Sequence, residues 1–180
     1  DAGGGGAGGL VIGTAHPMTA GTYAMDIGPG GAAATYNQSS LGNVGTDSTA
    51  FGFTAKGGGY GGSYIVSPYT GYTGGSGGGG AGRNESDGPH AGGVSNQNAY
   101  SGTSTVLGKG NAGGTGSGDP SHAGGGGGGA GQTGRAFNAS GEPRYGGDGF
   151  QVSWTTLYTV TGSGENTTGL YWAGGGGGCS

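Results

Sequence analysis

Five blocks made almost entirely of glycine constrain this chain more than any other feature of its sequence. They lie at residues 3–9, 57–62, 74–82, 124–131 and 174–178. Glycine loses more conformational freedom on folding than any other residue, so an ordered glycine run needs many backbone contacts to hold it. The fold must therefore satisfy bare backbone, because these blocks supply almost no side chains to a core.

The composition excludes several familiar classes. Glycine supplies 57 of 180 residues and only 29% are hydrophobic, too few for a conventional core. Collagen needs glycine at every third position, whereas here the runs are unbroken. A flexible glycine–serine linker would not carry 10 Tyr, 4 Phe and 2 Trp. We expect one glycine-rich domain over residues 1–180, with an N-terminal hairpin and strand part (1–56), glycine runs and polar loops (57–148), and a final strand or hairpin with a last glycine run (149–180).

Charge and cysteine content also limit the partners. The net charge is −4 and the five Lys and Arg residues are scattered, so no basic stripe predicts nucleic-acid binding. No stretch approaches the ~20 apolar residues of a membrane span, and membrane insertion is not expected. Cys179 is the single cysteine, so the sequence has neither a disulfide framework nor a zinc pattern. We expect a bystander thiol there, with an intermolecular bridge as the alternative.

Short alternating segments between the glycine blocks predict β-strands. Residues 10–27 are interpreted as a hairpin, and residues 49–55 as one strand around Phe51 and Phe53. Segments 64–66 and 104–107 are shorter candidates. The longest candidate covers 150–161, with Phe150 and Val152 on one face and a bend or hairpin near 155–156. No segment shows helical periodicity and glycine disfavours helix by ~1 kcal/mol per residue. The predicted fold class is all-β or irregular, with short strands and hairpins and essentially no α-helix.

The glycine blocks themselves predict a packed bundle of polyglycine II helices. This extended conformation has three residues per turn and leaves every N–H and C=O pointing outward. Neighbouring helices can satisfy those groups, since only glycine allows such close approach. Isolated, well-packed loops are the alternative for some runs. Aromatic residues at the block edges are expected to cap the bundle and exclude water: Tyr60, Tyr64, Tyr171 and Trp172.

No residue constellation predicts catalysis. The acidic residues and histidines lie mostly among Gly, Ser, Asn and Pro, which is typical of solvated turns. Segment 119–122 is interpreted as such a turn, with a local contact between Asp119 and His122 as the alternative. Segment 146–150 faintly resembles a calcium-binding nonapeptide repeat, but that motif must recur to build a site and here it occurs once. The sequence therefore predicts no enzyme, cofactor or metal. Four glycosylation sequons, a number near chance here, begin at Asn37, Asn84, Asn138 and Asn166.

Two loop regions have the composition of a recognition surface. Residues 60–73 and 83–101 combine tyrosine, which offers rigid amphipathic area, with adaptable Ser, Gly and Asn. Solvated connectors are the alternative for either loop. The candidate receptor-binding residues are Tyr60, Tyr64, Tyr69, Tyr72, Asn84, His90, Asn98 and Tyr100.

The order of the blocks resembles the glycine-rich domain of bacteriophage tail fibres and tail-tip adhesins. The resemblance covers nearly the whole chain. The matching segments are residues 2–9 entering the predicted hairpin, residues 19–23 with 27–31, residues 51–59, residues 113–118 with 123–131, and residues 171–178.

This resemblance implies a piece of a longer fibre protein, exposed on the virion outside the cell. It implies a structural and adhesive role in host attachment, often as a homotrimer with other virion proteins, whose loops bind a bacterial glycan or outer-membrane protein. A self-assembling extracellular filament is the first alternative, because unpaired backbone at the bundle edge favours stacking. An ice-binding protein is a weaker one, because the chain has many tyrosines and no regular tripeptide repeat.

Overall fold

The computed structural model describes residues 1–14, 16–35, 40–83, 89–100, 106–118, 122–137, 144–152 and 170–179. Within these ranges there is no helix, and the regular structure consists of short antiparallel strands. The prediction of an all-β or irregular fold without α-helix is therefore confirmed for the described residues. The strands are β1 (Leu10–Gly13), β2 (Met25–Asp26), β3 (Ser48–Ala50), β4 (Phe53–Ala55), β5 (Val106–Lys109), β6 (Phe150–Val152) and β7 (Leu170–Trp172).

The predicted hairpin over residues 10–27 is wrong. Strand β1 pairs with β5 instead, Leu10 opposite Lys109 and Gly13 opposite Val106, and β2 pairs with β3. Val106 is 1% exposed, whereas Met25 is 64% exposed. The local alternation around Met25 thus did not reflect burial, and the long-range contact with the more apolar β5 decided the pairing of β1.

The predicted single strand over residues 49–55 is a hairpin of β3 and β4. Phe51 and Gly52 form its two-residue turn, with φ of 53° and 78°. Positive φ at both central residues is the geometry of a tight turn that matches the twist of the two strands. Glycine adopts this conformation readily and Phe51 does not, which is why the sequence does not signal a turn there.

The other strand predictions have mixed outcomes. Residues 64–66 form bends and no strand. Strand β5 begins at Val106, and positions 104 and 105 lie outside the described residues. Strand β6 confirms the start of the long segment, with Gln151 exposed and Val152 buried as the alternation requires. Its partner is β7, and residues 153–169 lie outside the described part of the chain.

Most of the structure is held by glycine segments that hydrogen-bond through their backbones. Residues 74–82 and 123–130 are buried along their whole length. A Cβ atom built on any glycine of 74–82 would overlap the backbone of another segment, such as Gly93, Gly125 or Ala123. The residues of these two segments that are not glycine have small, buried side chains: Ser76, Ala81, Ala123 and Ala130. The interior therefore consists of close-packed backbone.

The expected aromatic caps are only partly present. Tyr60 is half-buried and Trp172 is half-buried, but Tyr64 and Tyr171 are 48% and 56% exposed. The cap prediction is wrong for the last two, because their rings extend into solvent and cover little of the glycine segments.

Candidate functional site

Two of the predicted recognition residues, Tyr60 and Tyr72, stack on each other at the surface. Their ring centroids are 4.7 Å apart and the ring planes differ by 12°. Burial raises the pKa of the Tyr60 phenol above its ordinary value, and the neighbouring Tyr72 adds to the effect. Tyr72 is 47% exposed, so the stacked pair presents part of its aromatic surface to solvent.

Tyr69 forms a second cluster with Arg83 and His90. The Arg83 guanidinium carbon lies 3.9 Å from the centre of the Tyr69 ring, which is cation–π geometry. The imidazole of His90 lies 5.1 Å from the same ring, tilted by 55°, and is buried. Arg83 was not among the predicted site residues, because a lone arginine in a polar loop gives no sign that it will lie over an aromatic ring.

Backbone hydrogen bonds tie these tyrosines to the glycine segments. The N–H of Tyr72 donates to the carbonyl of Tyr60, 2.9 Å away, and the carbonyls of Tyr69 and Tyr72 accept from Ala81 and Gly78. Tyr60, Tyr69 and Tyr72, together with Arg83 and His90, are here named the tyrosine patch. Hydrogen bonds to the buried glycine segments hold the backbone of this patch in place before a partner binds. Little backbone entropy therefore remains to be lost on binding.

Tyr64 lies in a separate exposed bend. The hydroxyl of Ser63 accepts hydrogen bonds from the N–H groups of Ile65 and Val66, both at 3.2 Å. Tyr64 and Ile65 are 48% and 59% exposed, and no ring contact joins Tyr64 to the tyrosine patch among the described residues. Asn84 lies outside the described residues.

Asn98 and Tyr100, two further predicted receptor-binding residues, make contacts within the fold instead. The Tyr100 hydroxyl accepts from the N–H of Thr54 at 2.9 Å and donates to its carbonyl at 3.2 Å. Its ring meets Phe53 edge-on at 5.3 Å, and Asn98 accepts from the Tyr100 N–H. Tyr100 thus fastens its loop to strand β4, a structural contact that the sequence does not reveal.

Removing the Tyr100 hydroxyl should weaken the fold measurably. We expect Tyr100→Phe to lower the free energy of unfolding by about 1 kcal/mol, because two hydrogen bonds to Thr54 are lost while the ring stays. Urea unfolding followed by fluorescence measures the change. Tyr64→Phe is the control, since the Tyr64 ring is solvated. Equal stability of the two variants would contradict the structural role of Tyr100.

A further exposed apolar surface escaped sequence reasoning. Met18, Met25 and Ile27 are 56%, 64% and 79% exposed. Met18 and Ile27 line the same cavity as Phe51, whose ring centroid lies 5.2 Å from that of Tyr23. This cavity, of about 450 Å³, opens between β1 and the β2–β3–β4 sheet, and Phe53 is among its other lining residues. The alternation in residues 23–27 is visible in the sequence, but alternation alone does not say that the apolar side remains uncovered.

One ion pair supports the chain next to the second glycine run. The Lys56 Nζ lies 2.7 Å from Asp47 Oδ2, and the Gly57 N–H donates to Asp47 Oδ1 at 3.0 Å. The hydrogen bond from Lys56, and then the one from Gly57, holds the pKa of Asp47 below its ordinary value.

Acidification should remove the contribution of this ion pair. A carboxyl whose pKa is lower in the folded protein stabilises the fold above its unfolded pKa, near 4, and this contribution is lost as the pH falls through the folded pKa. We expect wild type to exceed Asp47→Asn in stability by about 0.5 kcal/mol at pH 7, a value kept small by solvent screening. Thermal melts from pH 7 to pH 2 should show this difference shrinking below pH 4; a difference that does not depend on pH would contradict the assignment.

The described residues hold no group of three or more His, Cys, Asp or Glu side chains placed to bind a metal ion. Nor do those ranges contain a helix with the length and apolar character needed to cross a membrane. The thiol of Cys179 is unpaired and exposed. The four sequon asparagines and residues 119–121 of the predicted turn lie outside the described part. Comparisons of this chain with protein-family models, with curated proteins and with solved structures find no match.

Proposed function

We propose that the glycine segments are polyglycine II helices packed into a bundle. The support is the hydrogen-bond pattern of residues 76–83, in which N–H groups three residues apart donate to the same neighbouring segment. Residues 76, 79 and 82 donate to residues 7, 4 and 1; residues 77, 80 and 83 donate to 111, 114 and 117; residues 78 and 81 donate to 72 and 69. A repeat of three is the helical period of polyglycine II.

The acceptors of the same segment complete the arrangement. The carbonyls of residues 76 and 79 accept from 59 and 62, those of 77 and 80 from 128 and 125, and that of 78 from 93. Residues 76–83 are thus bonded to six surrounding segments: their N–H groups donate to three segments, and their carbonyls accept from the other three. The segment 123–131 likewise bonds to six segments, around residues 2–7, 77–80, 114–117, 135, 147–148 and 173–179. Six neighbours around each interior segment are expected of hexagonally packed rods.

We propose that this bundle is the rigid carrier of an adhesive surface in a bacteriophage tail fibre or similar virion appendage. The observation that supports the proposal best is that the backbone of the tyrosine patch is hydrogen-bonded to the buried glycine segments. Rigid tyrosines beside an arginine suit recognition of a bacterial glycan or outer-membrane protein. Only the resemblance of the block order supports the virion location, the homotrimer and the association with other fibre proteins.

Electron microscopy of the source material with a label against this chain tests the location. Label confined to the fibres or tail of virus particles is the expected result. Label along free filaments of indefinite length would instead make self-assembly the primary function.

Binding to the bacteria that such a virus infects tests the tyrosine patch. The purified chain should compete with virus adsorption, and Tyr72→Ala should weaken the competition by about tenfold or more. Tyr145→Ala is the matched control, because Tyr145 is 59% exposed and lies outside the patch. Equal competition by both variants would remove the patch from the proposal.

A further inference from the structure

A groove of about 600 Å³ runs beside the first glycine run. Residues 2–9 form one wall and residues 28–34 the other, while residues 42–46 and 57–61 form the floor. Most of the lining residues are glycine or alanine, and the others are Pro29, Asn43, Thr46, Ser48, Lys56 and Tyr60. Lys56 is the charged side chain among the lining residues, and it is already paired with Asp47. The groove therefore offers backbone hydrogen-bonding groups rather than charge.

Unused donors recur along the first wall with the period of the bundle. The N–H groups of Gly3, Gly4, Gly6 and Ala7 all donate to other segments. Gly5 and Gly8 are exposed, and their N–H groups have no hydrogen-bond partner among the described residues. They are three residues apart, which is about 9 Å along a polyglycine II helix. An extended chain of the same period would meet both donors with equivalent carbonyls.

The groove lies where one more extended glycine segment would complete the packing around run 2–9. Its four lining segments are hydrogen-bonded in succession: Gly6 N–H to Gly59 C=O, Gly45 N–H to Gly58 C=O, and Thr46 N–H to Pro29 C=O. The run 2–9 bonds to four glycine segments, around residues 59–62, 76–82, 125–128 and 176–179, where interior runs bond to six. A Cβ atom at Gly5 or Gly30 would meet nothing within 4 Å, so the space between the walls is open.

We propose that this groove is the docking site for an extended glycine-rich segment of a partner chain. Such a segment continues the packing that already joins the glycine runs, pairs with the N–H groups of Gly5 and Gly8, and fits because only glycine allows rods to approach so closely. The five long glycine runs of this chain are already hydrogen-bonded within it. Each run is bonded to other segments of its own chain, so a second copy has no separate run to insert into the groove, and the occupant comes from a different protein. This inference rests on the proposed bundle and not on the adhesive role.

A labelled peptide with the sequence of residues 123–131 is the probe, titrated against the full chain. We expect saturable binding, lost when the three central glycines of the peptide are replaced by valine. Gly5→Leu should weaken binding by at least about tenfold, because the side chain enters the groove. Gly21→Leu is the matched control, since a Cβ at Gly21 also meets nothing within 4 Å and Gly21 does not line the groove. Both variants should melt like wild type.

Three outcomes would overturn the proposal: no saturable binding, equal binding by the two leucine variants, or a wild-type dimer in sedimentation that Gly5→Leu dissociates, which would make a second copy the occupant. The test is separable from the adhesive role. Tyr72→Ala should leave peptide binding unchanged, and Gly5→Leu should leave competition for bacteria unchanged. Loss of one activity without the other identifies which proposal fails.

Discussion

Adding a single methyl group at Gly77 is expected to destabilise this protein by about 3 kcal/mol or more, the upper range for overpacking. A Cβ at Gly77 overlaps the carbonyl oxygen and carbon of Gly93, and both groups are backbone atoms of buried segments that have no side chain to move aside. The Gly77 N–H also donates to Asn111 and its carbonyl accepts from Gly128, so separating the segments breaks hydrogen bonds on two further sides. For a chain of this size we expect Tm to fall by about 10 °C, as calorimetry would measure.

Gly5→Ala is the matched control for this change. It lies in another glycine run, yet a Cβ at Gly5 meets nothing within 4 Å. Alanine also reduces the entropy of the unfolded chain, so Gly5→Ala should leave Tm unchanged or raise stability by about 0.4–1 kcal/mol. Similar losses for Gly77→Ala and Gly5→Ala would contradict close packing of the glycine segments, because the loss would then be a general cost of changing glycine.

The sequence predicts the class of this fold better than its pairing. Glycine content and strand-like alternation are enough to exclude helix and to locate β6. They do not say that β1 pairs with β5, because a four-residue apolar strand fits several partners and the choice depends on burying Val106 across nearly 100 residues of chain. Glycine runs are still less informative about their neighbours, since identical backbone has no side chain to specify a partner. Ser76 and Ala81, which interrupt their run and are buried, are the few residues that can set its register.

The candidate site was predictable in part for a similar reason. Tyrosine-rich composition identifies the loop that contains Tyr60, Tyr69 and Tyr72, but stacking of Tyr60 on Tyr72 depends on two segments becoming neighbours. The same composition made Tyr100 look like a recognition residue, although its hydroxyl is bonded to Thr54. Tyrosine has an apolar ring and a polar tip, so it serves a surface or an internal anchor equally well. Only the partner of its hydroxyl distinguishes the two.

Ser117→Ala is expected to have the second-largest effect, a loss of about 1–3 kcal/mol in the free energy of unfolding. The Ser117 side chain is buried, and its hydroxyl accepts from the Ala123 N–H at 2.7 Å while lying 3.4 Å from the Ala123 carbonyl. In the Ser117→Ala variant the Ala123 N–H would remain buried without that acceptor, because the space left by one hydroxyl is smaller than a replacement water needs.

Ser63→Ala is the control for the serine change. The Ser63 hydroxyl also accepts backbone hydrogen bonds, from Ile65 and Val66, but in a bend where water can replace it. We expect a loss below about 0.5 kcal/mol there. Chemical denaturation of both variants measures the difference, and hydrogen exchange should show faster exchange at Ala123 in Ser117→Ala alone. Stability equal to that of Ser63→Ala would mean that the Ala123 amide is solvated in the folded protein, which would contradict the buried hydrogen bond between Ser117 and Ala123.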